Sequence, residues 1–133
     1  MTPEEKLNEL AAYRLRQAEE SLDEAAYLLA GGKSPRAVIN RAYYSMFYAV
    51  LALLIYEEFA SSKHTGVIAW FNRNYIKTGK FPMDPGIYFN KAFELRQRGD
   101  YREQAEPSRE TVVPYLDKAR DFIDRVKEII TLL

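Results

Sequence analysis

Three arginines lie within seven residues of the segment "KAFELRQRGDYRE", which spans 91–103. The arginines are Arg96, Arg98 and Arg102, and Asp100 and Tyr101 lie between the second and the third. Guanidinium groups bind phosphate through paired hydrogen bonds, so converging arginines would form a phosphate site. The alternative is structural, because cations in the last turn of a helix favour its dipole and Gly99 would end that helix. The residues alone leave both interpretations open.

Two other positions could bind a ligand. His64 follows Lys63 in "SSKHTG" and could act as a general base or contact a phosphate. It could equally be a surface histidine near a helix start, where a positive charge is slightly unfavourable. Arg41 comes directly before an uncharged run at 42–56. A charged residue on a mostly buried helix needs a carboxylate or a ligand beside it, and Asp100 is a candidate partner.

Several classes of site are disfavoured by the residues that the chain lacks. It has no cysteine, which rules out disulfides and thiolate metal sites. It has one histidine and no Glu-x-x-His motif, which a carboxylate-bridged metal pair in a helical bundle requires. The "GGKS" at 31–34 lacks the upstream glycine and the preceding strand of a phosphate-binding loop. We therefore expect neither a metal nor another cofactor.

The charge of the chain is unevenly distributed although its net value is zero. Residues 1–30 carry seven acids and three bases, whereas residues 63–102 carry eight bases and three acids. A neutral chain is a poor general nucleic-acid binder, but its basic middle could hold one phosphate or a short RNA segment. The alternative is that these charges simply solvate helix surfaces.

Helix signals recur along the whole chain. Thr2, Ser34, Asp84 and Ser108 are suitable N-caps, and a proline follows the first three directly. Apolar residues recur at spacings of four and three in the first and last helices, and no segment alternates as a strand would. Pro114 is expected to interrupt the first turns of the last helix. The predicted helices span about 3–30, 35–59, 63–78, 85–98 and 109–133.

The second of these helices should lie at the centre of the fold. Its uncharged run of 15 residues is shorter than the roughly 20 that span a bilayer, which favours a buried helix over a membrane span. The sequence thus predicts an all-α, up-and-down bundle of four long helices and one shorter helix, in a single domain over 1–133. We expect no membrane association. A cytoplasmic location is expected because "MTPEEKLNEL" lacks a signal-peptide pattern and the absence of cysteine suits a reducing compartment.

Three motifs resemble those of a known superfamily in order and spacing. They are "NRAYYSMFYAV", "SKHTGVIAWF" and "NKAFELRQRGDYRE". The chain resembles HEPN proteins, in particular the small stand-alone prokaryotic members, over nearly its whole length. The resemblance implies a helical bundle that forms a homodimer. It also implies a partner, a minimal nucleotidyltransferase, with which such proteins often form a toxin–antitoxin pair.

The resemblance also implies where a site would lie. Many HEPN proteins are metal-independent ribonucleases with an arginine followed four to six positions later by histidine. Here the positions after Arg96 hold Asp100, Tyr101 and Arg102 instead. One hypothesis is therefore a module that binds nucleotide or RNA without cleaving it. The other is a divergent ribonuclease toxin. The candidate catalytic residues are Arg96, Arg98, Asp100 and Tyr101, and the candidate ligand-binding residues are Arg41, Lys63, His64 and Arg102.

Overall fold

The computed structural model describes residues 1–57, 59, 61, 63–101 and 107–133, with the backbone alone at 98–101. The helices are α1 (Pro3–Ala30), α2 (Pro35–Leu54), α3 (His64–Phe71), α4 (Met83–Tyr101) and α5 (Arg109–Thr131). A π-helical turn, Asn72–Ile76, continues directly from α3. No strand occurs within the described ranges. The predicted all-α bundle of four long helices and one shorter helix is confirmed.

The limits of α1 follow from its local sequence, as predicted. The side-chain oxygen of Thr2 accepts a hydrogen bond from the backbone N–H of Glu5, which satisfies one donor of the first turn. At the other end, Gly32 takes a left-handed conformation with φ of 68°. The N–H groups of Gly32 and Lys33 then bond the carbonyls of Leu29 and Leu28. This arrangement is a Schellman motif, which glycine adopts without a Cβ penalty.

The central position predicted for α2 is confirmed. It packs against α1, α4 and α5 and also contacts α3. Among the described residues, α2 is the one helix with the length and composition of a membrane span. However, 67% of its apolar segment is buried inside the bundle. Its apolar character is therefore accounted for by burial against the other helices.

Aromatic rings fill the space between the second half of the chain and α2. Phe122 of α5 has no exposed surface, and its ring centroid lies 4.6 Å from that of Phe81 and 5.1 Å from that of Phe89. Phe71 of α3 joins the same group at 5.5 Å. These contacts hold α3 and α4 against α5, which in turn determines where the polar residues of α3 and α4 lie.

The predicted end of the second helix at Phe59 is wrong, because α2 ends at Leu54 and a turn follows. The N–H groups of Tyr56 and Glu57 bond carbonyls only three residues back, which tightens the chain. The side chains then bond to distant elements. The Tyr56 hydroxyl donates to Asn8 at 2.8 Å, and Glu57 accepts from Tyr75 at 3.3 Å. Tertiary hydrogen bonds thus redirect a segment whose composition would continue the helix.

The third predicted helix, 63–78, is an α-helix only as far as Phe71. The N–H of Lys77 bonds the carbonyl of Asn72, five residues back, which is the π-helical pattern. Asn72 also exchanges two side-chain hydrogen bonds of 2.9 Å with Asn90 of α4. The widened turn coincides with this amide pair, which the sequence did not predict.

The fourth helix is longer than the predicted 85–98 at both ends. It begins at Met83, so Asp84 lies in its first turn and is not its N-cap. Proline is tolerated throughout a first turn because those N–H groups have no helical acceptor. The helix also continues through Gly99 to Tyr101, so Gly99 does not end it. Helical glycine costs about 1 kcal/mol relative to alanine, which the packing of α4 on α2 and α5 can offset.

The last helix matches its prediction closely. Ser108 accepts a hydrogen bond from the N–H of Thr111 and caps α5, which ends at Thr131. Pro114 lies inside α5, and the helix continues through it. The predicted apolar stripe faces inward at Val112, Ala119, Ile123 and Val126. The segment 102–106, which contains Arg102, lies outside the described residues.

Candidate functional site

Two adjacent tyrosines of α2 form the floor of a polar site at the surface of the bundle. Tyr43 is fully buried and Tyr44 is half-buried, and their rings meet edge to face at 5.2 Å. Phe47, one turn further along α2, continues the same face. Because a helix places positions three and four apart on one side, α2 presents a continuous aromatic surface to α3 and α4.

Arg96 of α4 lies over this surface. Its guanidinium carbon is 5.0 Å from the ring centroid of Tyr44 and 5.5 Å from that of Tyr43. A guanidinium group over an aromatic face is attracted by the ring quadrupole and is held in one orientation. Arg96 is the arginine of the 91–103 segment whose side chain the structure describes, and it makes this tertiary contact.

Arg41 approaches the same surface from within α2. Its guanidinium carbon lies 5.3 Å from the ring centroid of Tyr44. It donates a hydrogen bond of 3.1 Å to Ser21 and pairs with Glu24 of α1 at 3.6 Å. The carboxylate found beside Arg41 is therefore Glu24, whereas Asp100 was the candidate from sequence. The side chain of Asp100 lies outside the described part of the chain.

His64, the first residue of α3, completes the site. Its Nδ1 lies 2.8 Å from the hydroxyl oxygen of Tyr43, and either atom can donate depending on the tautomer. Its ring stacks on Phe47 with centroids 4.1 Å apart and planes within 9°. His64 is therefore half-buried and held in place, which differs from the exposed surface histidine considered as one alternative. We call Arg41, Tyr43, Tyr44, His64 and Arg96 the basic–aromatic cluster.

The electrostatics of the cluster keep its imidazole and its phenol neutral. Burial lowers the pKa of His64, and the positive charge of Arg96 lowers it further. Burial raises the pKa of Tyr43 well above its ordinary value, and the charge of Arg96 only partly opposes this. At neutral pH the site therefore combines cationic guanidinium groups with a neutral imidazole. That combination can bind an anion and can accept a proton.

Comparison with known proteins identifies the family. The model of the HEPN domain matches residues 11–130, which include the whole basic–aromatic cluster. The chain belongs to the HEPN family. A Thermotoga maritima protein named "UPF0332 protein" is 42% identical and covers 98% of this HEPN chain and 96% of its own length.

Two further relatives carry a functional name. Both come from Methanocaldococcus jannaschii and are named "Putative toxin MJ0142" and "Putative toxin MJ0605". The first is 35% identical over 86% of this HEPN chain and 77% of its own length. The second is 33% identical over 84% of this HEPN chain and 81% of its own length. The HEPN chain is thus similar to proteins whose names refer to toxins.

The other candidate residues of this HEPN chain are placed less completely. Lys63 is exposed beside His64, and its backbone N–H bonds the side chain of Ser61. Arg98, Asp100 and Tyr101 belong to the last turns of α4, and their side chains are outside the described part of the chain. Arg102 lies beyond it altogether. A role for these four residues of the 91–103 segment remains a prediction.

Sequence reasoning missed the part that aromatic residues play in this HEPN site. Tyr43 and Tyr44 fall within the uncharged run at 42–56, which was interpreted only as a buried central helix. One signal was present: Arg41 and Tyr44 are three positions apart, so a helix places them side by side. No comparable signal joins His64 to Tyr43, which are 21 positions apart and meet only through folding.

Two grooves on the HEPN bundle carry different chemistry. One of about 510 Å³ lies between the start of α1 and the end of α5. It is lined mainly by apolar side chains, with Glu4 as its charged residue. A cavity of about 430 Å³ opens beside Arg41 and is also lined by Asp23 and Glu24. Compared with these grooves, the basic–aromatic cluster is the better match to an anionic ligand, because it holds two arginines against the ring of Tyr44.

Proposed function

We propose that this HEPN domain binds a phosphate-bearing ligand, a nucleotide or RNA, at the basic–aromatic cluster. The observation that carries the proposal is that Arg96 and Arg41, from different helices, both lie against the ring of Tyr44. Their planar groups are held by the ring before a ligand arrives, so less conformational entropy is lost on binding. The guanidinium fork matches a phosphate, which makes an anion with phosphate geometry the natural ligand.

RNA and nucleotides suit the cluster better than a simple anion does. Nucleobases stack on aromatic side chains and on guanidinium planes, and both are present here. Tyr43 is fully buried and supports the others, whereas Tyr44 is half-buried and retains a surface for contact. The lysine and arginine residues concentrated in 63–102 would add attraction for a polyanion, although the whole chain is neutral.

Binding can be tested with a fluorescently labelled single-stranded RNA and anisotropy at several salt concentrations. We expect Arg96→Ala to weaken RNA binding about tenfold. We also expect the slope of log affinity against log salt concentration to become shallower by about one, because one fewer counterion is released. Arg125→Ala is the matched control, because Arg125 lies on α5 and pairs only locally with Glu128 among the described residues. Equal affinity of Arg96→Ala and the unsubstituted protein would contradict the proposal.

We further propose that the protein works as a homodimer in the cytoplasm with a minimal nucleotidyltransferase, as one half of a toxin–antitoxin-like pair. Membership of the HEPN family and the names of the Methanocaldococcus jannaschii relatives support this proposal. Co-expression with a minimal nucleotidyltransferase encoded beside its gene should yield a complex that copurifies. Growth arrest on expression of the HEPN chain alone, relieved by the partner, would support the pairing. Unimpaired growth would oppose a toxin role.

A second candidate function is that of a metal-independent ribonuclease toxin. The observation that favours it is the placement of His64 beside the rings that hold Arg96. The chain lacks a histidine four to six positions after Arg96, but folding brings one near from α3. A cleavage assay in the presence of a chelator separates this function from binding alone.

A further inference from the structure

The cavity of about 430 Å³ beside Arg41 adjoins the basic–aromatic cluster. Asp23, Glu24, Tyr27 and Leu28 of α1 form one wall of this cavity, and Arg41 of α2 forms the other. The helix α1 presents its four residues on one side, because positions 23 and 27, and positions 24 and 28, are each one turn apart. The volume lies within the range of small-molecule sites and can accommodate a nucleobase.

Arg41 connects the cavity to the cluster. It lines the cavity, and its guanidinium carbon lies 5.3 Å from the ring centroid of Tyr44. The Nε of Arg41 is buried and has no hydrogen-bond acceptor among the described residues, since the Glu24 oxygen is 3.6 Å away. The protein thus supplies only part of the hydrogen bonding of this guanidinium group, and a phosphate can supply more. The base of the same nucleotide would then lie beside the cavity.

Tyr27 offers an aromatic face at this cavity. Its side chain is 79% exposed, and among the described residues its ring contacts neither a cation nor another aromatic ring. Leu28 adds a half-buried apolar side chain to the same wall. Unpaired bases of RNA stack on aromatic side chains. The cavity therefore combines a stacking surface and an apolar surface with polar groups, which is the composition of a base-binding site.

The carboxylates of the cavity determine which base fits it. A carboxylate only accepts hydrogen bonds, so it binds the edge of a base that donates. Guanine presents two adjacent donors, N1–H and the 2-amino group, on its Watson–Crick edge. Adenine and cytosine present one amino group beside an acceptor nitrogen, and uracil presents one N–H between two carbonyl oxygens. Of the four bases, guanine is thus the one that can form two parallel N–H···O bonds to a single carboxylate.

Asp23 is the carboxylate that is available for this contact. Glu24 already pairs with Arg41. Asp23 is exposed and takes part in no hydrogen bond or ion pair among the described residues. A base can therefore bind Asp23 without breaking a contact within the protein.

We propose that this cavity is a guanine-binding subsite. Asp23 accepts hydrogen bonds from the Watson–Crick edge, Tyr27 stacks on the base, and Arg41 binds the phosphate of the same nucleotide. The inference rests on the proposed binding of a nucleotide or RNA and names its preferred base. Contacts to phosphate position a nucleic acid, whereas contacts to bases select its sequence. The basic–aromatic cluster would supply the first kind of contact and α1 the second.

The preference for guanine can be measured on the unsubstituted protein. Anisotropy compares three labelled single-stranded hexamers of 2′-fluoro RNA, with uridine throughout, one central guanosine or one central inosine. The 2′-fluoro groups keep the hexamers intact even if the protein is a ribonuclease. We expect the guanosine hexamer to bind about tenfold more tightly than the uridine hexamer. Inosine lacks only the 2-amino group of guanosine, so its hexamer should bind about fivefold more weakly than the guanosine hexamer.

Substitutions on α1 test whether the preference arises in the cavity. Asp23→Ala should remove the difference between the guanosine and inosine hexamers. Glu20→Ala is the matched control, because Glu20 is an exposed acid of α1 that does not line the cavity. It removes the same charge and should retain the preference. Tyr27→Ala should weaken binding of the guanosine hexamer about tenfold through the loss of stacking. Arg96→Ala should weaken binding of all three hexamers by the same factor.

The outcomes separate this inference from the proposed function. Equal affinity for the three hexamers, or tighter binding of the uridine hexamer, overturns the guanine subsite and leaves phosphate binding at the cluster intact. A preference for guanosine that survives Asp23→Ala also overturns the subsite. Absence of binding by every hexamer defeats both proposals. The comparison of hexamers needs no substitution, so a variant that fails to fold does not prevent a decision.

Discussion

Arg41 and Arg96 lie against the ring of one tyrosine. Their guanidinium carbons are 5.3 and 5.0 Å from the centroid of Tyr44, although one arginine belongs to α2 and the other to α4. Glu24 of α1 pairs with Arg41 at 3.6 Å. If an anion binds both guanidinium groups, as we propose, it connects α2 and α4 through one ligand.

Replacement of the shared ring should weaken RNA binding. Tyr44→Leu removes the aromatic face under both arginines, worth about 1 kcal/mol or more, so affinity should fall about tenfold. Tyr44→Phe keeps the face and should bind RNA nearly as well as the unsubstituted protein. Tyr48→Leu is the control, since no guanidinium contact to Tyr48 occurs among the described residues. Equal losses in Tyr44→Leu and Tyr48→Leu, measured by anisotropy, would refute a specific role for the Tyr44 ring.

The contact between α1 and α5 should weaken in acid. Glu19 of α1 accepts hydrogen bonds from Arg120 at 2.9 Å and Lys127 at 2.6 Å, and chiefly the Arg120 bond lowers its pKa to about 2. A carboxyl whose pKa is lower in the folded state stabilises the fold fully above its ordinary pKa of 4.5. That contribution is lost as the pH falls from 4.5 toward 2.

The variant Glu19→Gln measures this contribution. It should lower the free energy of unfolding by about 1 kcal/mol at pH 7, a value reduced for solvent screening of a partly exposed group. At pH 2 the two proteins should differ little. Urea unfolding at both pH values provides the comparison, with Glu128→Gln as the control because Glu128 is exposed and pairs with Arg125 in its own helix. A difference that persists unchanged at pH 2 would show that charge is not its cause.

The amide pair of Asn72 and Asn90 should couple the π-helical turn to α4. Each side chain donates to the other at 2.9 Å, so removal of either leaves the other partly unsatisfied. Asn72→Ala and Asn90→Ala should each cost about 1–2 kcal/mol. The double variant should cost about 1 kcal/mol less than the sum. Additive losses in urea unfolding would mean that the pair contributes nothing beyond its separate side chains.

The aromatic core should depend strongly on Phe122. Its ring contacts those of Phe71, Phe81 and Phe89 and has no exposed surface. Phe122→Ala should lower the free energy of unfolding by about 3–5 kcal/mol, because it removes buried area and leaves a cavity. Tyr27→Ala should change it by less than about 0.5 kcal/mol, since Tyr27 is 79% exposed. A loss below about 1 kcal/mol for Phe122→Ala would contradict this packing.

The sequence predicted the helices well where the signals are local. The caps at Thr2 and Ser108 were identified because a hydroxyl bonds an N–H three residues later. Predictions failed where distant residues intervene: Tyr56 bonds Asn8 of α1, and α2 ends before the predicted Phe59. The prediction that Gly99 ends the fourth helix was also wrong. The low helix propensity of glycine costs only about 1 kcal/mol, and packing along α4 outweighs it.

The candidate site shows the same division. The residue types and motifs of the sequence alone predicted the family and the fold class, and they marked Arg41, His64 and Arg96 as candidate site residues. Only the tertiary structure decided that all three lie against the ring of Tyr44, and that His64 turns Nδ1 toward Tyr43. The physical reason is the sequence separation over which the interactions act. Caps and stripes act within one or two helical turns, whereas the meeting of α2, α3 and α4 depends on how whole helices pack.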